Sequence, residues 1–378
     1  MNSSTLVIIG GGVAGTSLAY YAAGFGARVT VLERGQLNRE ASGSNAGSLH
    51  FQLRGHDAIS DIRMELVRRS QPAWRQLSAE LDAELEIRFH GGVMVAETAS
   101  ERERLDAKLE AERAMGLTTR VLSDAEARTE FSWLSPELTV AYCPEEGSTN
   151  PLLVTAAYAA RAVERGVQIL QNSPVLDISA RASGGYSVDT ESKSFDADVV
   201  VNAAGSWAEE LSSMLGAQTP ITALLQMVSV TERFPPIIAA MAQHIGRRLT
   251  LKQTRAGTVL IGGGWPGMQS DPGLRRIDWK NFADNLSVAT AIVPALVNAR
   301  LLRAWTGQIA TFDDGLPSIG EHPGLPGFVD YVVPRGYAGY TFAPVLSEQL
   351  ARVLCGKASD IDLKSYSPAR FSYSEKLK

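Results

Sequence analysis

The sequence predicts an α/β protein whose second part is α+β, with a mostly antiparallel sheet. Three observations favour this class. The N-terminus alternates strand, glycine turn, helix and strand within about 30 residues. A second buried strand runs into a glycine turn in VVVNAAGSW at 199–207. Residues 221–265 have the pattern of antiparallel strands, and a length of 378 residues suits two domains.

The first strand is Thr5–Ile9, followed by a glycine turn, a helix over 16–25 and a second strand over 27–32. The turn reads Gly-x-Gly-x-x-Gly, and an acid ends the second strand. The first glycine permits the tight turn, the second lets a pyrophosphate approach the backbone, and the third lets the helix pack closely. The free N–H groups of the helix attract phosphate, and the acid accepts hydrogen bonds from a ribose. The pattern predicts a dinucleotide site at Gly10, Gly12, Val13, Ala14, Gly15, Glu33 and Arg34.

The later elements follow from hydrophobic periodicity and from glycine and proline positions. Pro151 suits the first turn of a helix that ends at Gly166. Further helices are predicted over 57–88, 100–116, 278–299 and 343–354. Strands are predicted over 93–96, 167–170, 175–178, 186–188, 199–201 and 331–333.

Composition excludes several classes of protein. A net charge of −5 and a pI near 5.7 argue against nucleic-acid binding. The two cysteines form no CxxC pair, and neither they nor the five histidines have metal-ligand spacing, so no metal is expected. No apolar run is long enough to span a membrane, and the N-terminus lacks the features of a signal peptide. A cytoplasmic location is therefore expected.

The segment ASGSNAGSLH at 41–50 is small, polar and rich in glycine. Glycine lets the backbone approach a flat ligand, and serine and asparagine supply hydrogen bonds without bulk. By itself the segment is typical of a flexible loop. Beside the dinucleotide fingerprint, it predicts one wall of the cofactor site, with Ser42, Asn45, Ala46 and Gly47 at the diphosphate and ring. Ser48–Gln52 then turns towards substrate.

Six motifs in order, GGGVAG…LER, SGSNAGSLH, PLLVTAAYAARAVERGVQIL, VVNAAGSWAEEL, DDGLPSIG and GYAGYTFAP, resemble the FAD-dependent D-amino-acid oxidase superfamily, on its glycine oxidase and sarcosine oxidase side. The resemblance implies a Rossmann-like FAD-binding domain from three segments, 1–85, 143–213 and 308–378. It implies a substrate domain from 86–142 and 214–307. SGSNAGSLHFQL and LIGGGWPG also resemble the β subunits of bacterial opine oxidases and of D-hydroxyproline dehydrogenase.

The resemblance implies non-covalent FAD, and it adds contacts at the later motifs. The 199–205 stretch has two readings, a cofactor contact or a buried strand with a turn. The glycine turn before the last helix would direct N–H groups at the flavin. The further FAD contacts implied are Ser48, Leu49, Val175, Ala203, Ala204, Gly205, Trp207, Gly307, Gly336, Tyr337, Ala338, Gly339, Tyr340 and Thr341.

The implied reaction is hydride transfer from the Cα–H of a secondary amino acid to flavin N5, giving an imine that hydrolyses to an amine and a 2-oxo acid. Pocket candidates are His50, Gln52, Tyr340, Arg335 and Trp265, with core packing as the alternative role for each aromatic residue.

Two departures from the family bear on this chemistry. Ile309 stands where related enzymes carry a carboxylate-binding Arg, so Arg303 and Arg335 are candidate replacements, with a surface or structural role as the alternative for each. Relatives with high oxygen reactivity carry a Lys near the position of Leu260, and another at that of Ala343. Their absence favours a dehydrogenase.

As a dehydrogenase, the chain would be the β subunit of a heteromer with an α subunit and a small ferredoxin-like subunit. Such a complex can include FMN at a subunit interface and an iron–sulfur cluster on a partner. The alternatives are a self-sufficient oxidase of glycine, sarcosine or D-amino acids that releases hydrogen peroxide, and a non-catalytic or RNA-modifying FAD-binding relative.

Overall fold

A computed structural model describes residues 4–53, 60–271, 273–334 and 339–371 of the protein. The helices in these residues are α1 (Val13–Gly24), α2 (Ala41–Ser44), α3 (Ser60–Glu80), α4 (Ala99–Ala114), α5 (Asp124–Glu130), α6 (Pro151–Glu164), α7 (Ala208–Met214), α8 (Trp279–Ile292) and α9 (Gly339–Leu354). The strands are β1 (Thr5–Ile9), β2 (Arg28–Leu32), β3 (Ser48–Leu49), β4 (Gly92–Ala96), β5 (Arg120–Val121), β6 (Thr139–Cys143), β7 (Gly147–Ser148), β8 (Gln168–Leu170), β9 (Val175–Ala180), β10 (Tyr186–Thr190), β11 (Ser194–Ala197), β12 (Val199–Asn202), β13 (Thr222–Arg233), β14 (Met241–His244), β15 (Thr250–Gln253), β16 (Thr258–Gly262), β17 (Met268–Asp271), β18 (Leu274–Arg276), β19 (Leu301–Thr311), β20 (Ser318–Glu321) and β21 (Phe328–Val332).

A six-stranded sheet joins three separated stretches of the chain in the order β20-β21-β12-β1-β2-β8. Its strands are parallel except for β20, which runs antiparallel to β21 at the edge. The buried apolar faces of α1, α3, α6 and α9 pack together over this sheet. The antiparallel β9–β10–β11 sheet contributes to a second apolar cluster that shares residues of β1 and β12. The carboxyl ends of the parallel strands are therefore left open, as is usual for ligand sites in such sheets.

An eight-stranded sheet forms the second layer, in the order β19-β13-β16-β15-β14-β4-β6-β5. Its neighbouring strands are antiparallel apart from β14 and β4, which are parallel. One face packs on α8 in an apolar cluster that includes Leu251, Val259 and Ile261. Because side chains alternate along a strand, the intervening residues of β15 and β16 point to the opposite face. The predicted combination of a mostly parallel and a mostly antiparallel sheet is confirmed.

Two helices end earlier than the sequence predicts, and one long strand is additional. The helix predicted over 57–88 ends at Glu80, because Asp82 and Glu86 adopt positive φ angles of 44° and 54° that no helix continues through. The helix predicted over 278–299 stops at Ile292, and a 3-10 turn, Pro294–Asn298, follows. The eleven-residue edge strand β19 was not predicted. None of the helices in the described ranges is both long and apolar enough to cross a membrane.

Candidate active site

A cavity of about 620 Å³ lies between the two large sheets. On one side it is lined by the ends of β1, β2 and β21 and by the residues that follow β12. On the other side it is lined by β13, β15, β16 and β19. Its volume is in the range of pockets that hold small molecules and cofactors.

The glycine turn forms one end of the cavity. Gly10 has a φ of 119°, and a Cβ there would collide with the carbonyl oxygen of Ala203. A Cβ at Gly15 would collide with the carbonyl oxygen of Gly10, so the third glycine permits close packing of α1. Glu33 accepts hydrogen bonds from the N–H of Gly11 at 2.7 Å and of Gly35 at 2.8 Å. Its carboxylate therefore orders the turn as well as lining the cavity.

The polar segment 41–50 is folded rather than a simple loop. Its first residues form the short helix α2, and β3 pairs with β7. Ser42 Oγ accepts a hydrogen bond from the N–H of Val13 at 2.9 Å, which ties the segment to the start of α1. Asn45 Oδ1 accepts from the N–H of Gly47 at 2.6 Å, and its Nδ2 donates to the carbonyl of Ser42 at 2.6 Å. These bonds hold the segment against the cavity.

Most of the predicted cofactor residues line this cavity. They are Gly10, Gly12, Val13, Ala14, Glu33, Arg34, Ser42, Asn45, Ala46, Ser48, Val175, Ala203, Ala204, Gly205, Trp207, Gly339, Tyr340 and Thr341.

Four other predicted cofactor residues lie behind the lining. Gly15 packs α1 on its strand, Leu49 is fully buried in the core, and Gly47 lies against Thr149. Gly307 lets β19 approach α2, since a Cβ there would lie 2.7 Å from Ser44 Oγ. Gly15 thus has the packing role that the fingerprint predicts, and the other three are packing positions outside the cavity lining. The remaining three, Gly336, Tyr337 and Ala338, fall outside the described residues.

Of the predicted pocket residues, His50 and Tyr340 line the cavity. Gln52 does not, because its side chain is buried and its Oε1 accepts from Lys108 Nζ at 2.9 Å. Trp265 is also outside: its indole N–H donates to the carbonyl of Arg248 at 2.7 Å, and its ring packs beside the core of the eight-stranded sheet. Both residues thus lie outside the cavity lining, where a buried hydrogen bond orients Gln52 and an exposed one orients Trp265.

Only one of the two arginines that could replace the family's carboxylate-binding Arg lies in the described residues. Ile309 lines the cavity, as a residue at that position should. Arg303 is exposed, with its guanidinium 4.8 Å from the centroid of the Trp305 ring, and it does not line the cavity. It therefore has the alternative role, that of a surface residue near the start of β19. Arg335 lies outside the described residues.

Arg63 is a cavity residue that the sequence reasoning missed. It lies on α3, is 8% exposed, and places Nη2 3.4 Å from the carbonyl oxygen of Gln52. Its position on the buried face was visible in the sequence, because Val67, Ser70 and Trp74 follow it at helical spacing and are all buried. Arginine is uncommon on a buried helix face where it only packs, and it is common where it binds an anion.

Glu146 is a second missed residue, located in the turn between β6 and β7 with no exposed surface. Its Oε2 lies 3.5 Å from His50 Nδ1 and accepts from Gln243 Nε2 at 3.1 Å. Burial acts to raise the pKa of Glu146, but the nearby His50 ring and hydrogen bonds from the N–H groups of Gln52 and Phe51 hold that pKa below its usual value. A buried carboxylate anion thus lies beside Nδ1 of the His50 ring.

Lys252 on β15 is a third residue that the sequence analysis did not identify. It is buried, and its Nζ has no hydrogen-bond partner among the described residues. Burial lowers its pKa to about 7. In the sheet it pairs with Leu260, so the two side chains share a face with Thr250 and Gly262, which line the cavity.

The position of Lys252 removes the basis for a sequence-level inference. The absence of a Lys at Leu260 favoured a dehydrogenase, yet a buried Lys occupies the neighbouring strand at the matching register. Lys252 and Leu260 are eight positions apart in the sequence, and only the pairing of β15 with β16 brings them side by side.

Several hydroxyl groups of the cavity are buried without a partner in the described part of the chain. They are Ser48 Oγ, Ser206 Oγ and Thr250 Oγ1. A buried polar group without a hydrogen bond is costly, so such groups mark where a polar ligand is expected. Together with the glycine turn, the Glu33 carboxylate and the open N-terminus of α1, they fit FAD.

One further group of acids and a histidine comes together outside the cavity, where the sequence showed no ligand spacing. His244 Nε2 lies 3.1 Å from Glu97 Oε2, and Glu101 is adjacent. His244 Nδ1 accepts from the backbone N–H of Gly246 and of Arg247, so the ring proton must be on Nε2. Arg247 also pairs with Glu97. Arg247 therefore offsets one of the two carboxylate charges of this group.

Comparison with known proteins agrees with this geometry. The family described as FAD dependent oxidoreductase (DAO) matches residues 5–353. The chain is 28% identical to human mitochondrial sarcosine dehydrogenase over 401 aligned residues, covering 99% of this chain and 42% of that protein. It therefore spans less than half the length of that relative.

A second relative matches end to end. Glycine oxidase of Geobacillus kaustophilus is 26% identical over 97% of this chain and 96% of its own length. The crystal structure of glycine oxidase from that organism superposes with a TM-score of 0.88 at 24% identity, covering 97% of this chain and 98% of the other.

Proposed function

This chain belongs to the DAO family of FAD dependent oxidoreductases, and we propose that it oxidises the C–N bond of a secondary amino acid. One observation carries the proposal: a single cavity has the dinucleotide fingerprint at one end and the buried cation of Arg63, with His50, at the other. A fixed cation in a mostly buried position is suited to a substrate carboxylate. An amino acid held by its carboxylate would then direct its Cα and nitrogen along the cavity.

Bound FAD supplies the acceptor for a hydride from the substrate. The residues of this chain bind and orient the two molecules. The glycine turn and the start of α1 hold the diphosphate, and Glu33 receives the ribose hydroxyls. Arg63 holds the substrate carboxylate, and Ile309 and Tyr340 supply apolar surface that excludes water. The imine that results hydrolyses in water to an amine and a 2-oxo acid.

The substrate class and assembly that we propose are those of the sequence resemblance, an opine- or hydroxyproline-like secondary amino acid oxidised by a heteromeric dehydrogenase in the cytoplasm. FMN and an iron–sulfur cluster would then belong to the interface and the partner. Several large apolar side chains are exposed on the substrate side, among them Trp279, Val297 and Leu302, which are 71%, 74% and 62% exposed. Exposed apolar surface of this kind supports an interaction with a partner subunit. Purification of a tagged native complex, followed by mass determination, tests it.

The experiment that tests the function is anaerobic reduction of the bound flavin, followed by its visible absorbance. The panel contains opines, hydroxyproline and proline in both configurations, sarcosine and glycine. We expect rapid bleaching by a secondary amino acid and slow bleaching by glycine. Bleaching by primary amino acids alone would overturn the substrate class. If no amine reduces the flavin, the third class considered above, a non-catalytic or RNA-modifying FAD-binding relative, replaces this proposal.

A second candidate function, a self-sufficient oxidase, is favoured by Lys252. A buried cation on the cavity side of the sheet would stabilise negative charge developing on oxygen. Peroxide released per amine consumed separates the two functions. A ratio near one for the purified chain in air indicates the oxidase, and turnover only with an added electron acceptor indicates the dehydrogenase.

A further inference from the structure

The segment His50–Leu53 runs from the cavity, which His50 lines, into the core, and it pairs with no strand in the described residues. Its backbone N–H groups instead donate to side chains from other parts of the chain. Phe51 and Gln52 donate to Glu146 Oε1 at 2.6 and 2.8 Å, and Leu53 donates to Glu112 Oε1 at 2.6 Å. Two fully buried carboxylates thus replace the hydrogen bonds of a sheet.

The two carboxylates differ in what else they contact. Glu112 pairs with Lys108 Nζ at 2.8 Å, so its charge is balanced on its own helix. Glu146 forms no ion pair with a Lys or Arg among the described residues. Its second oxygen faces His50 Nδ1 at 3.5 Å and the amide of Gln243 at 3.1 Å. Gly92 leaves room for it, since a Cβ there would lie 2.9 Å from the Glu146 side chain.

We infer that Glu146 is a positioning residue, which holds His50 in the Nδ1–H tautomer and so makes His50 Nε2 the atom that takes a proton from the substrate ammonium. An anionic carboxylate stabilises the imidazolium that results, as buried acids do for histidine bases in other enzymes. This inference rests on the proposed function, because hydride transfer from the Cα–H requires the amine to be neutral. One N–H bond of the substrate breaks, one Nε2–H bond forms, and the positive charge moves to the ring.

Other charged or titratable groups also bear on His50, and they define the controls. Arg63 on α3 and Tyr340 on α9 line the same cavity. His90, which precedes β4, interacts electrostatically with Glu146 and with Lys252 on β15, and burial lowers the pKa of both His90 and Lys252. Of these described groups, only Glu146 has an oxygen near His50 Nδ1, at 3.5 Å.

The test compares Glu146→Gln with Glu112→Gln in the FAD-bound protein. Each replaces a buried carboxylate that clamps the same segment, and only the first removes negative charge from His50. We expect E146Q to move the acidic limb of the kcat/KM pH profile down by about 1–3 pH units and E112Q to leave it in place. Glu146→Asp keeps the charge and should restore the limb towards the wild-type position.

A second readout does not depend on turnover. Ring ¹⁵N shifts of the histidines, with His50 assigned by His50→Gln, report tautomer and titration directly. We expect wild-type His50 to be the Nδ1–H tautomer when neutral, and E146Q to lose that preference and titrate at lower pH. An unchanged His50 signal in E146Q, or an equal displacement in E112Q, would overturn the inference. If the flavin is never reduced but the ring signals change as expected, the proposed function fails and the positioning role of Glu146 stands.

Discussion

The two ends of the cavity are built in different ways. The nucleotide end comes mainly from residues 10–42, where Glu33 accepts a hydrogen bond from the N–H of Gly11 and Ser42 accepts one from the N–H of Val13. The substrate end combines residues from distant parts of the chain, including Arg63 on α3, Glu146 after β6 and Thr250 on β15.

The difference reflects what each end has to recognise. A diphosphate is bound by backbone N–H groups at a helix start, so glycine spacing within one βαβ unit is enough to specify it. A small charged substrate needs side-chain charges in a buried place. Those charges are stable only where sheet register and helix packing supply partners or room for a ligand.

The largest expected effect tests the nucleotide end. Gly10→Ala introduces a Cβ at a φ of 119° that would collide with the carbonyl of Ala203, so the purified protein should carry no flavin. Gly12→Ala has an ordinary φ and needs only Ser42 Oγ, 2.8 Å away, to move. It should weaken FAD binding by about 10- to 100-fold. Flavin absorbance per protein and titration of the apoprotein measure both. Equal FAD affinity for the two variants would contradict this account.

The next effect tests the substrate end. Arg63→Met keeps the length of the side chain and removes its charge, so kcat/KM for the best substrate should fall by roughly 30- to 1000-fold while FAD stays bound. Arg303→Met is the matched control, since Arg303 is exposed and outside the cavity, and it should change kcat/KM by less than about twofold. Steady-state kinetics decide the comparison, and a larger loss in R303M than in R63M would reverse the assignment.

The smallest expected effect concerns stability behind the substrate end. Burial lowers the pKa of Lys252 from 10.5 to about 7, so between these values the unfolded chain binds more protons than the folded one. The free energy of unfolding of the wild type should therefore rise with pH across this window. Lys252→Met should stabilise the protein by about 2–5 kcal/mol at and below about pH 7, and by progressively less towards pH 10.5.

Urea unfolding at several pH values measures this gain. Lys280→Met is the control, because Lys280 is 88% exposed and pairs only with Asp284, at 3.6 Å. It should change stability by less than about 0.5 kcal/mol at every pH. A gain for K252M that does not depend on pH would mean that the pKa of Lys252 is the same in the folded and unfolded states.

The sequence predicted the fold class and most of the cofactor end, and it missed most of the charged groups of the substrate end. The glycine fingerprint and Glu33 are local signals, so they could be read directly. Arg63 was also visible as a charge in the buried row of a helix, and it was overlooked. Nearness in sequence to Ile309 made Arg303 a candidate, and strand β19 places it at the surface, which was the alternative role.

By itself, the sequence determined a dinucleotide-binding βαβ unit, because backbone conformation there depends on glycines at fixed spacing. It also determined a polar segment at 41–50 that would contact the cofactor. Only the tertiary structure decided that Lys252 stands beside Leu260, that Glu146 supports His50, and that Arg63 reaches the cavity. Each of these relations joins residues far apart in the chain, and each depends on strand register or on burial, which local sequence patterns do not encode.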